Sequence, residues 1–132
     1  MQATVAKPAK DTRQPVRFPE PLRVHELSSM RDHLRTLQLI QDAMSRNAFD
    51  EAGKLSEQRL GLSSFGLHEA HEVAKYMPKG MQDIGTEMHK AASRFSLEVT
   101  NSGATGDVRP ALAALSRVTQ QCVACHNAYR LK

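Results

Sequence analysis

The stretch QQCVACHNAYR, residues 120–130, closes a segment in which apolar residues recur every three or four positions. The recurring positions are Leu112, Leu115, Val118, Cys122 and Tyr129. An α-helix turns once in about 3.6 residues, so this spacing predicts a helix over about 108–130. Asp107 is the expected cap, and Pro110 falls within the first turn, where proline is tolerated. The same stretch contains both cysteines of the chain, with a histidine directly after the second.

Three upstream segments show the same helical period. Their predicted bounds are 21–46, 50–60 with Asp50 as the cap, and 78–101 behind Pro78. In the first of them, the inward face is predicted at Leu27, Met30, Leu34, Leu37, Gln41 and Met44. In the third, it is predicted at Met81, Ile84, Met88, Ala91 or Ala92, Phe95 and Val99. Residues 61–77 predict a loop with a short helix at 67–76, and residues 101–107 predict a link.

No segment alternates apolar and polar residues with a period of two. Four amphipathic segments joined by short links predict an all-α fold, an antiparallel four-helix bundle with the cysteine motif in its C-terminal helix. The bundle is expected over residues 21–132. Residues 1–20 contain three prolines and no periodicity, which predicts an extended or disordered basic arm.

The charge of the chain is uneven along its 132 residues. The formal net charge is +4, yet residues 1–19 hold four basic residues against Asp11 alone. The basic residues are spread out and few aromatic residues accompany them, so nucleic-acid binding is not expected. No apolar run reaches the ~18 residues of a transmembrane helix, so no membrane span is expected.

Cys122-Val-Ala-Cys125-His126 matches the Cys-x-x-Cys-His pattern of covalent attachment of haem c. On a helix, positions i, i+3 and i+4 share one face. Each thiol can then form a thioether with one haem vinyl group, and His126 can bind the iron as its proximal ligand. In bacteria this attachment takes place outside the cytoplasm. The expected location is therefore the periplasm, after removal of a signal peptide, since the N-terminal stretch here has no apolar core of that kind.

Three other interpretations of the motif stay open. A thioredoxin-like redox pair prefers a helix N-terminus, whereas this pair comes late in its predicted helix. A zinc site needs further ligands, and the second pair would be His68 and His71. The two cysteines can also be structural thiols without chemistry.

The chain resembles the class II c-type cytochromes, the cytochrome c′ and cytochrome c-556 family. That family has a four-helix bundle with its haem motif close to the C-terminus, followed by two residues, an aromatic residue and an arginine. Tyr129 and Arg130 match that ending, and Arg23 with Leu27 four residues later matches the family's first helix. Leu22 stands where the family usually has an aromatic residue. The resemblance spans residues 20–132 and is weakest at residues 61–77.

The resemblance implies roles on the open side of the iron. Arg23 is expected near a haem propionate, and Leu27 is expected to cover the open face of a five-coordinate iron that binds NO or CO. Met30 lies three residues further on, and its thioether is the alternative, a sixth ligand that raises the potential. His25 is a more remote candidate for a distal ligand. The other methionines, Met44, Met77, Met81 and Met88, are expected to fill the core.

On the proximal side, Arg130 follows His126 by four residues and is expected near its imidazole. The leading hypothesis is a periplasmic electron carrier with one haem c, whose basic arm helps to dock an acidic redox partner. The alternatives are a five-coordinate protein that binds NO or CO, and a non-haem helical protein with a Cys/His metal site. No enzyme activity is expected. The family also forms dimers, which implies a possible homodimer through the first two helices.

Overall fold

The computed structural model describes residues 3–67 and 69–132 of the chain. The described part is mainly helical. Its helices are α1 (Glu20–Ser45), α2 (Phe49–Arg59), α3 (Ala70–Ala74), α4 (Lys79–Thr105) and α5 (Arg109–Ala128), with a 3₁₀ turn at Leu62–Ser64. Two short strands complete it, β1 (Gln14–Val16) and β2 (Tyr129–Leu131). The prediction of an all-α fold is confirmed.

Prolines and a glycine determine the ends of the long helices. α1 has Pro21 in its first turn, and α4 begins directly after Pro78. α4 ends at Gly106, whose φ of 77° is the left-handed conformation that favours glycine. The predicted link over residues 101–107 was therefore wrong, because the helix passes through Gly103 and stops only where the backbone turns left-handed.

Two predicted caps had different outcomes. Asp50 is not the cap of α2: it lies inside that helix, which begins at Phe49 behind Ala48. At the start of α5, the Asp107 carboxylate accepts a hydrogen bond of 3.0 Å from the backbone N–H of Arg109. Asp107 thus satisfies a free helical N–H, although the helix itself begins after Val108.

The main core lies where α4 packs along α5 and α2, with α1 packed along α2. Its fully buried residues include Ile40, Ala52, Phe95, Val99 and Val118. The inward stripe predicted for the third amphipathic segment is confirmed at Met81, Met88, Ala92, Phe95 and Val99, all buried. α4 is therefore the central helix of this core.

The inward faces predicted for α1 and α5 were partly wrong. α1 buries Glu26, Ser29, Thr36, Ile40 and Ala43, whereas Leu34 is 70% exposed. In the case of Thr36, the hydroxyl donates to the Asp32 carbonyl at 2.8 Å, so a small polar residue is buried with its hydrogen bond made.

α5 shows the same preference for small residues at its beginning. It buries Ala111, Ala114, Leu115 and Val118, and leaves Leu112 52% exposed. Small alanines take the positions nearest to α4, and the larger Leu112 is turned outward. The helix also ends earlier than predicted, at Ala128, because the chain becomes extended at Tyr129.

The end of the arm is attached to the end of the chain. β1 and β2 pair in parallel, with Gln14 opposite Tyr129 and Val16 opposite Leu131. The backbone N–H of Lys132 donates to the Val16 carbonyl at 3.0 Å. We call residues 11–18 the strap. Residues 3–12 have no regular secondary structure.

The strap brings a second, smaller core together. Val16, Phe18 and Met81 are its buried members, and the residues packed against them are Leu22, Met77, Cys125, Tyr129 and Leu131. One of the two motif cysteines thus lies in a cluster that the strap helps to build.

None of the helices in the described part of the chain combines the length and the apolar character needed to cross a membrane.

The strap yields a stability prediction. Phe18 is 5% exposed, so Phe18→Ala should lower the free energy of unfolding by about 3 kcal/mol through the lost contacts and the cavity left behind. Urea unfolding followed by circular dichroism measures this loss. Val5→Ala is the matched control, since Val5 is 90% exposed in the same arm and its truncation should change stability by less than about 0.5 kcal/mol. Equal stability of the two variants would show that the strap does not pack on the helices.

Candidate functional site

The Cys-x-x-Cys-His motif lies in the last turns of α5, at the border between the two cores. Cys122 packs against the main core and Cys125 against the second core. Both cysteines are half-buried free thiols, and Cys122 Sγ lies 3.6 Å from the Val118 carbonyl one turn earlier. His126 is exposed. α5 therefore presents both thiols to the interior, with the imidazole at its outer edge.

The electrostatics of the two thiols disfavour thiol redox chemistry. Burial raises the pKa of both Cys122 and Cys125. The pKa of Cys125 is raised further by the neighbouring Cys122 and by the carboxylate of Glu26. Reactive thiol pairs have lowered pKa values, usually from a helix N-terminus or a nearby cation. Here the surroundings keep both thiols protonated.

Glu26 is a site residue that the sequence did not reveal. It is only 7% exposed, and burial raises its pKa, opposed by the charge of His25. Because its carboxylate acts on the Cys125 thiol, the Glu26 face of α1 lies within electrostatic range of the motif. A signal existed in the small residues Ser29, Thr36 and Ala43, which follow Glu26 at helical spacing on the buried face.

The position of Glu26 indicates which way the neighbouring residues of α1 are turned. Successive helical residues are rotated by about 100°, so Met30 is turned only about 40° from Glu26, and Leu27 about 100°. Both Leu27 and Met30 are half-buried. Met30 thus shares the side of α1 that faces the motif more closely than Leu27 does.

The methionines divide into two groups. The core role predicted for Met44, Met77, Met81 and Met88 is confirmed, since each belongs to or packs against one of the two cores. Among the described residues, those two clusters do not include Met30. Its half-buried thioether is therefore left without a packing role in either core.

His25 lies on a different side of α1. Its Nε2 atom is buried and has no hydrogen-bond partner among the described residues. It borders a cavity of about 240 Å³ that is lined by His25, Ser28, Ser29, Asp32, Arg59 and Leu67. Asp32 and Arg59 form an ion pair across it. Five helical positions separate His25 from Met30, a rotation of about 140°, so these two candidate ligands face different surroundings.

The strap reaches the backbone of the histidine in the motif. The Arg13 guanidinium donates to the His126 carbonyl at 3.3 Å and is held by the Asp11 carboxylate at 2.8 Å. The hydrogen bonds from Arg13 lower the pKa of Asp11 to about 2. Arg130 Nε lies 3.9 Å from the same carboxylate and is buried without a hydrogen bond within the described part. Arg130 thus faces the strap.

Two further residues that the sequence predicted for the site are Tyr129 and Arg23. Tyr129 packs in the second core, with its hydroxyl against Gly80, where a side chain would collide with it. Arg23 is half-exposed on α1, 3.7 Å from Glu20. Arg23 therefore extends from the same end of α1 as Leu22, which packs in the second core beside Cys125.

Of the two histidines expected near a metal, only His71 lies in the described part of the chain. His71 is exposed on α3, and His68 lies outside the described residues. Across residues 3–67 and 69–132, no three His, Cys, Asp or Glu side chains form a group that could hold a metal ion. His89 has a structural role, since its Nδ1 lies 2.6 Å from the Leu60 carbonyl at the end of α2 and its ring packs on Phe65.

No protein-family model, curated protein or solved structure matches the chain.

These residues fit a covalently held haem. Two free thiols lie one turn apart on one helix face, and each packs against an apolar cluster. The histidine at i+4 from Cys122 is next to them, and a half-buried thioether, Met30, is turned about 40° from Glu26 on α1. The buried Glu26 carboxyl is the one feature that such a hydrophobic group would not require.

The buried carboxyl yields a prediction for the pH dependence of folding. Burial raises the pKa of Glu26 above its ordinary value of 4.5. At pH values between 4.5 and this raised pKa, the folded protein therefore binds more protons than the unfolded chain. This contribution therefore lowers stability as the pH rises through this interval. We expect Glu26→Gln to be more stable than wild type at pH 7 and to lose less stability between pH 4.5 and pH 7, as measured by urea unfolding across this range.

Glu87→Gln provides the control, since Glu87 is exposed and only loosely paired with Lys90. Its stability profile should follow that of wild type within about 0.5 kcal/mol. If Glu26→Gln also followed wild type, Glu26 would be solvated and would not face the motif.

Proposed function

We propose that this chain is a monohaem c-type cytochrome of the class II kind that carries electrons in the periplasm. In this proposal α1, α2, α4 and α5 form an antiparallel four-helix bundle around the haem. The observation that carries the proposal is the placement of the Cys-x-x-Cys-His motif, with two free, half-buried thiols at the border of two apolar cores. The bound haem would supply an iron that changes between the ferric and ferrous states.

The motif residues have separate roles in this proposal. Cys122 and Cys125 would hold the haem through thioethers. His126 would bind the iron, with its backbone held by Arg13. Because a helix, a hydrogen bond and a strand pair all constrain this segment, the proximal side would change little between oxidation states, which suits rapid electron transfer.

The orientation of Met30 on α1 supports electron transfer rather than gas binding. Met30 and Leu27 are both half-buried and outside the two cores, but Met30 is turned only about 40° from Glu26 on α1. A thioether in the sixth position excludes external ligands and raises the potential of the iron. Leu27, which the family resemblance places over an open iron, is turned further from Glu26 by about 60°. His126 and Met30 would accordingly both bind the iron, which would leave it six-coordinate.

The ligand assignment predicts the result of a spectroscopic test. The protein, matured with haem c, should be low-spin, should show a methionine–iron charge-transfer band when oxidised, and should not respond to CO when reduced. Met30→Leu keeps the side-chain volume but removes the sulfur, so it should lose the band and bind CO. Absorption spectra of both oxidation states, with and without CO, measure these changes.

Met44→Leu is the matched control. Met44 is on the same helix and half-buried, but it packs against the main core, so its replacement should leave the spectra unchanged. A high-spin wild-type protein that binds CO would contradict the proposal. It would assign the open iron face to Leu27 and make NO or CO binding the function.

A further inference from the structure

The strap concentrates the positive charge of the protein at the end of the haem motif. Residues 1–19 and 129–132 together contain six basic residues, Lys7, Lys10, Arg13, Arg17, Arg130 and Lys132, which we call the basic end. The only acidic residue among these segments is Asp11. Residues 20–128 contain twelve basic and thirteen acidic residues, so the formal charge of the rest of the chain is −1. The whole net positive charge thus belongs to two segments that are far apart in sequence.

Strand pairing brings these two segments side by side. Val16 is opposite Leu131, and the Lys132 N–H donates to the Val16 carbonyl at 3.0 Å, so Arg17 and Lys132 follow as neighbours. Both side chains are exposed, and neither forms an ion pair with any described residue. Asp11 is already held by Arg13 and lies 3.9 Å from Arg130, so it cannot neutralise the others.

This charge lies next to the exposed part of the motif. Arg13 donates to the carbonyl of His126, which is itself exposed, and α5 ends two residues later. A cation at a helix C-terminus stabilises that helix, and this accounts for Arg13. It does not account for Arg17 and Lys132, which make no such contact and leave a positive surface facing solvent.

We propose that the basic end is the docking surface for an acidic face of a redox partner protein, beside the exposed His126 of the motif. This inference rests on the proposed function as a haem protein. Complementary charge steers encounter and orients the partner, so electrons would pass over the shortest route. A protein partner is favoured over a membrane because the apolar residues of the strap, Val16 and Phe18, face inward and offer no surface to insert into lipid.

The test uses the full haem-loaded protein and a charge-reversal pair. The reduced protein is mixed with ferricyanide, a trivalent anion, in a stopped-flow instrument at low salt. Arg17→Glu with Lys132→Glu should lower the oxidation rate constant about fivefold and abolish most of its decline with added salt. The same pair should also slow oxidation by a small acidic blue-copper protein.

Arg94→Glu with Arg117→Glu is the control, since both side chains are exposed on α4 and α5 and the change in net charge is identical. Its rate constant should remain within about twofold of wild type. Equal slowing by the two pairs would overturn the proposal, because the effect would then belong to net charge. The proposal would also be overturned if Arg17→Glu with Lys132→Glu abolished binding of the protein to phosphatidylglycerol vesicles but left the oxidation rates unchanged. That result would assign the surface to lipid. The haem absorbance, recorded before mixing, separates these results from a failure of haem attachment.

Discussion

The packing of α4 against α5 is the interaction on which the rest of the site depends. Val118 is fully buried in this contact, and the helical period then places Cys122 one turn further on the same face. A rotation of α5 by one residue would turn the thiol by about 100° towards solvent. The core therefore determines the chemistry, because it decides which side of the motif faces inward.

The strap acts as a second constraint at the other edge of the motif. α5 cannot continue past Ala128, since Tyr129–Leu131 pair with Gln14–Val16. This pairing buries Val16 and Phe18 beside Cys125 and brings Arg13 to the His126 carbonyl. A few residues near the start of the chain thus enclose the cysteine, orient the histidine backbone and add the surface charge. Packing, site geometry and proposed partner recognition share one structural element.

The sequence predicted the structural features that depend on local periodicity. It did not predict the features that depend on tertiary contacts. The long helices and the inward stripe of α4 followed from spacing, because Met88, Phe95 and Val99 are large and apolar. The inward face of α1 did not, since it is built from small or polar residues such as Ser29. In the site, the cysteines and the histidine were found through their motif. Glu26 and the strap were missed, because burial of a carboxyl and pairing of strands 115 residues apart have no local pattern.

The central claim is that Cys122 and Cys125 hold a haem covalently, and the intact mass of the denatured protein tests it most directly. The chain would be produced together with a cytochrome c maturation system, unfolded in acid and measured by mass spectrometry. We predict a mass increased by one haem for wild type, and no covalently retained haem when both cysteines are replaced by serine. A wild-type mass equal to that of the bare polypeptide would contradict the account.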